Sequence, residues 1–100
     1  MPKIELRHKT SLSVSEIKEK AEKLINDALE EFKDKISDVH QEWRGNTLIF
    51  SFRAMGFSVS GQATAYDNLI TIKAKLPFAA GMFKGKIRDK LNKKAEELFP

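Results

Sequence analysis

From Ser37 to Leu76 the apolar residues recur at every second position, and pairs of turn-forming residues punctuate the runs. Val39, Gln41 and Trp43 are opposed to His40, Glu42 and Arg44 before Gly45-Asn46. Leu48, Phe50 and Phe52 then alternate with Ile49, Ser51 and Arg53. Past a bend near Met55-Gly56, Phe57, Val59, Gly61, Ala63 and Ala65 alternate with Ser58, Ser60, Gln62, Thr64 and Tyr66. After Asp67-Asn68, Ile70, Ile72, Ala74 and Leu76 alternate with Leu69, Thr71, Lys73 and Lys75. Successive side chains point to opposite faces of a strand, so a period of two describes strands with one covered face, and tight turns pair them antiparallel. Pro77 ends the last run because it has no N–H to give the ladder. Such a meander needs an apolar cover, and on one face only.

The flanking segments supply that cover. Ser13 with Glu16 three residues later has the form of a capping box. Val14, Ile17, Ala21, Leu24, Ile25, Ala28, Leu29, Phe32 and Ile36 follow at three-and-four spacing, which predicts a helix over 14–36, with Glu19–Lys23 and Glu31–Lys35 pairs on its wet side. Ahead of it, Ile4, Leu6 and His8 alternate with Lys3, Glu5 and Arg7, a further short strand. At the other terminus, Phe83, Ile87, Leu91, Ala95 and Leu98 mark the buried side of a closing helix. Residues 1–100 are therefore expected to form a single α+β domain, a two-layer sandwich in the order β-α-β-β-β-β-α. The sheet is expected to be five-stranded and mostly antiparallel, with both helices on one face and Phe50, Phe52 and Phe57 beneath them. The small residues Gly61, Ala63, Ala65 and Ala74 on the covered side have two readings. They let a helix approach the sheet closely, or Gly61, Ala63 and Ala74 line a cavity for an apolar ligand.

The chain has no cysteine, which removes disulfides, a zinc knuckle and a thiol nucleophile from consideration and favours an intracellular setting. Residues 1–9 are too charged for a signal-peptide core, and no apolar run approaches the roughly 20 residues of a membrane span, so a cytoplasmic location is expected. The net charge of +4 is unevenly spread: segment 14–36 holds five basic and seven acidic residues, whereas 84–97 holds six basic and three acidic ones. An anionic partner is accordingly expected to meet the closing helix.

Recognisable chemistry is sparse. Asp38, His40 and Glu42 share a strand face and have ligand side chains, but that face is the wet one and no second ligand cluster lies nearby, so no metal site is assigned. His8 falls on the apolar side of its strand, where it is expected to be a hydrogen-bonded edge residue. Gly56-Phe57-Ser58-Val59-Ser60 begins like a nucleophile elbow yet lacks the closing glycine and lies in a strand. Gly81-Met82-Phe83-Lys84-Gly85-Lys86 is one residue short of a phosphate-cradling loop and is followed by Ile87 where magnesium binding needs Ser or Thr. No catalytic residue and no cofactor emerge, and the chain is not expected to be an enzyme. Arg53 to Val59 faintly resembles the aromatic strand of RNA-recognition domains, but those require a helix where Asp67-Asn68 joins two strands directly. Nucleic-acid binding thus rests on the basic helix alone and is disfavoured.

What remains is Leu76 to Lys86, an apolar, glycine-punctuated hinge running into a lysine-rich helix. Phe78, Met82 and Phe83 beside Lys84 and Lys86 have the composition of an interfacial contact surface, although a basic helical face also serves simply to keep a domain in solution.

Four segments carry a resemblance: His8-Lys9-Thr10-Ser11-Leu12-Ser13, Trp43-Arg44-Gly45-Asn46-Thr47-Leu48-Ile49-Phe50-Ser51, Gly56-Phe57-Ser58-Val59-Ser60-Gly61, and Leu76-Pro77-Phe78 leading to Lys84-Gly85-Lys86-Ile87. In order and spacing they resemble the polyhydroxyalkanoic acid system family, also called polyhydroxyalkanoate granule-associated proteins, over nearly the whole chain. The resemblance implies a small bacterial cytoplasmic protein linked to storage-polyester granules, with the granule surface or granule proteins as partners and no catalytic residues to carry over. A fatty-acyl carrier or sensor is the alternative, and a nucleic-acid-binding module the third.

Overall fold

In the computed structural model, which describes residues 3–54, 56–77, 81–82 and 84–100, every alternating run is a strand. The elements are β1 (Lys3–Lys9), α1 (Val14–Glu31), β2 (Ile36–Arg44), β3 (Thr47–Ala54), β4 (Phe57–Tyr66), β5 (Leu69–Lys75) and α2 (Lys84–Leu98). They build one α+β unit in the expected order, with strand order β1-β5-β4-β3-β2 and all four pairings antiparallel. The connection through α1 carries the chain from one edge of the sheet to the other. From β2 the chain then meanders back until β5 pairs with β1, Leu6 opposite Ile72.

Helix α1 begins where the capping box puts it: Glu16 N–H donates to Ser13 Oγ at 3.3 Å and Ser13 N–H donates to Glu16 Oε1 at 3.3 Å. It ends five residues earlier than its apolar stripe suggests, because Ile36 belongs to β2 opposite Ala54. Ile36 follows Phe32 by four and so fits the helical spacing, but a β-branched residue with a ladder partner is held better in the sheet. Phe32, cut off from the stripe, is 41% exposed. The predicted charge pairs change with it: Lys23 bridges Asp27 at 3.1 Å instead of Glu19, and Glu31 accepts from Lys90 of α2 at 2.7 Å instead of Lys35.

A bulge interrupts β2. Ser37 pairs with Arg53 and His40 with Ser51, which leaves Asp38 and Val39 together opposite Phe52. Asp38 takes φ +53, a left-handed conformation that Asp tolerates better than most side chains. The extra residue inverts the alternation, so Ile36 shares the covered side with Gln41 and Trp43 despite its even number. Asp38 correspondingly leaves the face it was read as sharing with His40 and Glu42. The bulge also distorts an edge strand that would otherwise offer a straight template for pairing.

Both helices lie on one face and share a single core, in which Ile17, Ala21 and Leu24 of α1 and Ala95 of α2 meet Leu48, Ile70 and Ile72 of the sheet. Helix α1 covers β4 and α2 covers β1. Within α2 only Ala95 is fully buried. The strongest anchor of that segment is Phe99, wholly enclosed, whereas Leu98, which the helical spacing selects, is half-buried. His8, Thr10 and Ser11 fasten the same place. His8 Nε2 donates to the Phe99 carbonyl at 2.7 Å, Thr10 Oγ1 to the Pro100 main-chain oxygen at 2.7 Å, and Ser11 N–H to that oxygen at 3.0 Å. His8 is the hydrogen-bonded edge residue its position suggests.

Candidate functional site

Antiparallel pairing sorts the connections to two ends. Taking β1 as running upward, β1–α1, β2–β3, β4–β5 and residues 99–100 lie at the upper end, joined by bonds such as Thr10 N–H to Asn68 O. The lower end collects α1–β2, β3–β4 and β5–α2. Among the described residues the exposed large hydrophobic side chains are Phe32, Val39, Phe57, Tyr66 and Met82, and all but Tyr66 belong to the lower end. Met82, just before α2, is 83% exposed and Phe57 is 49% exposed.

Phe57 departs from the expectation that it lies under the helices. The β3–β4 hairpin outruns its neighbour: Ser60 is the first β4 residue paired with β5, so Phe57, Ser58 and Val59 pair with β3 alone. The helical layer does not follow the hairpin to its tip. Phe52 and Val59 are half-buried there, and the hairpin turns at Gly56 with φ +83, which glycine adopts without a Cβ penalty.

Of the residues assigned to a contact surface, Met82, Lys84 and Lys86 are at this end, Lys84 half-buried and Lys86 exposed in the first turn of α2. Phe78 and Phe83 lie outside the described residues. Lys35, Arg53 and Lys75 add exposed cations around the same end. The α2 face is less free than its composition suggests, since Lys90 is held by Glu31 and lies 5.0 Å from the Phe32 ring centre.

The small residues of the covered face behave differently from one another. A Cβ added at Gly61 would lie 2.5 Å from the Lys73 carbonyl oxygen and 2.6 Å from Phe50 Cζ, so the ring of Phe50 occupies the space a side chain would take. Ala63 is buried in the core, and Ala74 is half-buried opposite Gly61. A hollow of about 420 Å³ also touches Gly61 and Ala74, but most of its lining, including Lys3, Glu5, Ile49, Gln62, Lys73 and Lys75, belongs to the face of the sheet turned away from the helices. Its rim is polar on several sides, unlike the mostly apolar lining of a typical small-molecule pocket. Among the described residues no three His, Asp or Glu side chains gather closely enough to hold a metal ion, and no helix is long and apolar enough to cross a membrane.

Comparison with known proteins adds one match. A family model described as "Putative polyhydroxyalkanoic acid system protein" matches residues 4–99, from the second residue of β1 to the buried Phe99. No curated protein and no solved structure matches the chain.

Proposed function

From the premise that this chain belongs to the polyhydroxyalkanoic acid system protein family, we propose that it is a non-enzymatic granule-associated or granule-regulating protein that meets an apolar polymer surface with its lower end. The 77–86 segment and the start of α2 form one part of the contact, and the β3–β4 hairpin tip forms the other. The observation that supports this reading is the gathering of Phe32, Val39, Phe57 and Met82 at that end, with Lys35, Arg53, Lys84 and Lys86 around them. Phe78 and Phe83 belong to the same connection in sequence.

The energetics suit reversible adsorption. Removing an exposed side chain of this size from water is worth about 1.5–3 kcal/mol, and the exposed fractions of the four amount to about two whole side chains, roughly 3–6 kcal/mol before the cost of immobilising the domain. The lysine ammonium groups remain in water while their stems lie along the surface.

Phe57→Asp with Met82→Asp tests the contact through co-sedimentation with polyhydroxyalkanoate particles, with a thermal melt to establish folding. Adsorption is expected to fall at least tenfold in a variant that melts as the parent does. Undiminished adsorption of the folded double variant would defeat the reading. A fatty-acyl carrier is the competing reading. An acyl species retained in native mass spectrometry, with no binding to particles, would put the carrier in place of the granule protein.

A further inference from the structure

The sheet has a second face, which no helix covers, and reading the register across all five strands shows what it presents. One rung is Arg7, Thr71, Thr64, Thr47 and Arg44; the next is Glu5, Lys73, Gln62, Ile49 and Glu42; a third is Lys3, Lys75, Ser60, Ser51 and His40. Lys9 pairs with Leu69 and Leu69 with Tyr66 beyond the first rung, and Arg53 pairs with Ser58 beyond the third. The uncovered face therefore carries seven cations, Lys3, Arg7, Lys9, Arg44, Arg53, Lys73 and Lys75, against two carboxylates, Glu5 and Glu42. Of these seven cations Arg44 alone has an ion pair among the described residues, with Glu42 at 3.3 Å. The sequence-based expectation placed the anion-attracting surface on α2, because charge counted along the chain cannot show that cations of four separate strands share one plane.

The arrangement is linear as well as basic. Five of the seven cations belong to β1 and β5, two adjacent antiparallel strands, at positions two or four residues apart. Alternate residues on a strand are about 6.8 Å apart, so the charges form a stripe roughly 20 Å long beside rows of hydroxyl and amide donors. Along it, Arg7, Tyr66, Leu69, Thr71 and Lys73, with the carboxylate of Glu5 among them, border a shallow hollow of about 330 Å³, and Tyr66 is half exposed.

We propose that this uncovered face, along the β1–β5 stripe, binds single-stranded nucleic acid through its phosphate backbone. A linear polyanion matches a linear row of cations, and Thr64, Thr71 and Gln62 offer donors beside it. Along β1 and β5 the face presents no helix or protruding ribbon to enter a duplex groove, which favours the single strand. Tyr66 gives one ring on which a base stacks. With a single aromatic platform, recognition is of charge and backbone, with little preference for sequence.

The test is fluorescence anisotropy of labelled oligothymidylate titrated with the full chain over a range of salt concentrations. Neutralising four phosphates predicts a slope of log K against log salt of about −3, which is roughly a 50-fold loss of affinity between about 50 and 200 mM salt. The variant Arg7→Gln, Lys73→Gln, Lys75→Gln should flatten the slope by about two units and weaken low-salt binding at least tenfold. Lys86→Gln with Lys93→Gln and Lys94→Gln on α2 should stay within about twofold of the parent. The salt slope of the parent chain stands as a test even if the stripe variant does not fold. A flat salt response, equal losses in both variants, or retention on phosphatidylglycerol vesicles without binding to the oligonucleotide would each overturn the proposal. None of these outcomes depends on the polymer-particle assay.

Discussion

Replacing Gly61 by alanine should destabilise the domain, although the same substitution at an unstrained site does the opposite. Where the backbone accepts a Cβ, Gly→Ala stabilises by about 0.4–1 kcal/mol because the unfolded chain has fewer conformations to lose. At Gly61 the added carbon would lie 2.5 Å from the Lys73 carbonyl and 2.6 Å from Phe50 Cζ, distances at which something must move. The carbonyl is part of the ladder to β5, where Gly61 faces Ala74, and Phe50 is packed into the core, so neither partner yields freely. Forcing extra volume into such packing costs about 1–3 kcal/mol, which corresponds to roughly 4–20 °C in melting temperature for a domain of this size. Gly85→Ala is the internal control, since nothing among the described residues lies within 4 Å of its added carbon and α2 is helical there. It should stabilise by about 0.5–1 kcal/mol. Urea unfolding of both variants, with Phe50→Leu as a second background, resolves the packing. Relief of part of the Gly61→Ala penalty in the Phe50→Leu background is expected, as a coupling of about 0.5–3 kcal/mol. A Gly61→Ala protein as stable as the parent or more so would refute the close seating of Phe50, and would reopen the space beside Gly61 to a ligand.

Phe99→Ala should cost about 3–5 kcal/mol in chemical unfolding, out of proportion to its place beyond the last helix, because the ring is fully enclosed and its carbonyl receives His8. A cost under about 1 kcal/mol would mean that the segment after α2 is not the anchor that holds the helix to the sheet. Asp38→Val should lower stability by about 1–2 kcal/mol, because a β-branched residue is poorly tolerated at φ +53, whereas Asp38→Gly should be neutral or stabilising; equal melting temperatures for the two would argue against the bulge.

How the residues reach one another was legible to different depths. The period of two across 37–76 and the capping box at Ser13 announced the sheet and the first helix, because each is a pattern within a few consecutive residues. The limit of α1 was not legible, since Ile36 satisfies the helical spacing and is out of phase with Val39, Gln41 and Trp43, and only the bulge lets it pair with Ala54 on the covered side of the strand. Of the contact residues first named, Met82, Lys84 and Lys86 lie at the lower end, but Phe57, Val39 and Phe32 joined them unannounced. Their spacing reads as core, and only the hairpin's overhang and the early end of α1 leave them in water.

The amino-acid sequence by itself determined the elements, their order and the requirement that both helices cover one side of a five-stranded sheet. Hydrophobic periodicity is a local property, and it dictates which face of each element must leave water. Tertiary structure alone decided that β1 closes the sheet against β5, that the stray apolar side chains lie at one end, and that cations from four strands share the bare face. These are relations between residues tens of positions apart. Strand order and register set them, and no window of consecutive residues contains either.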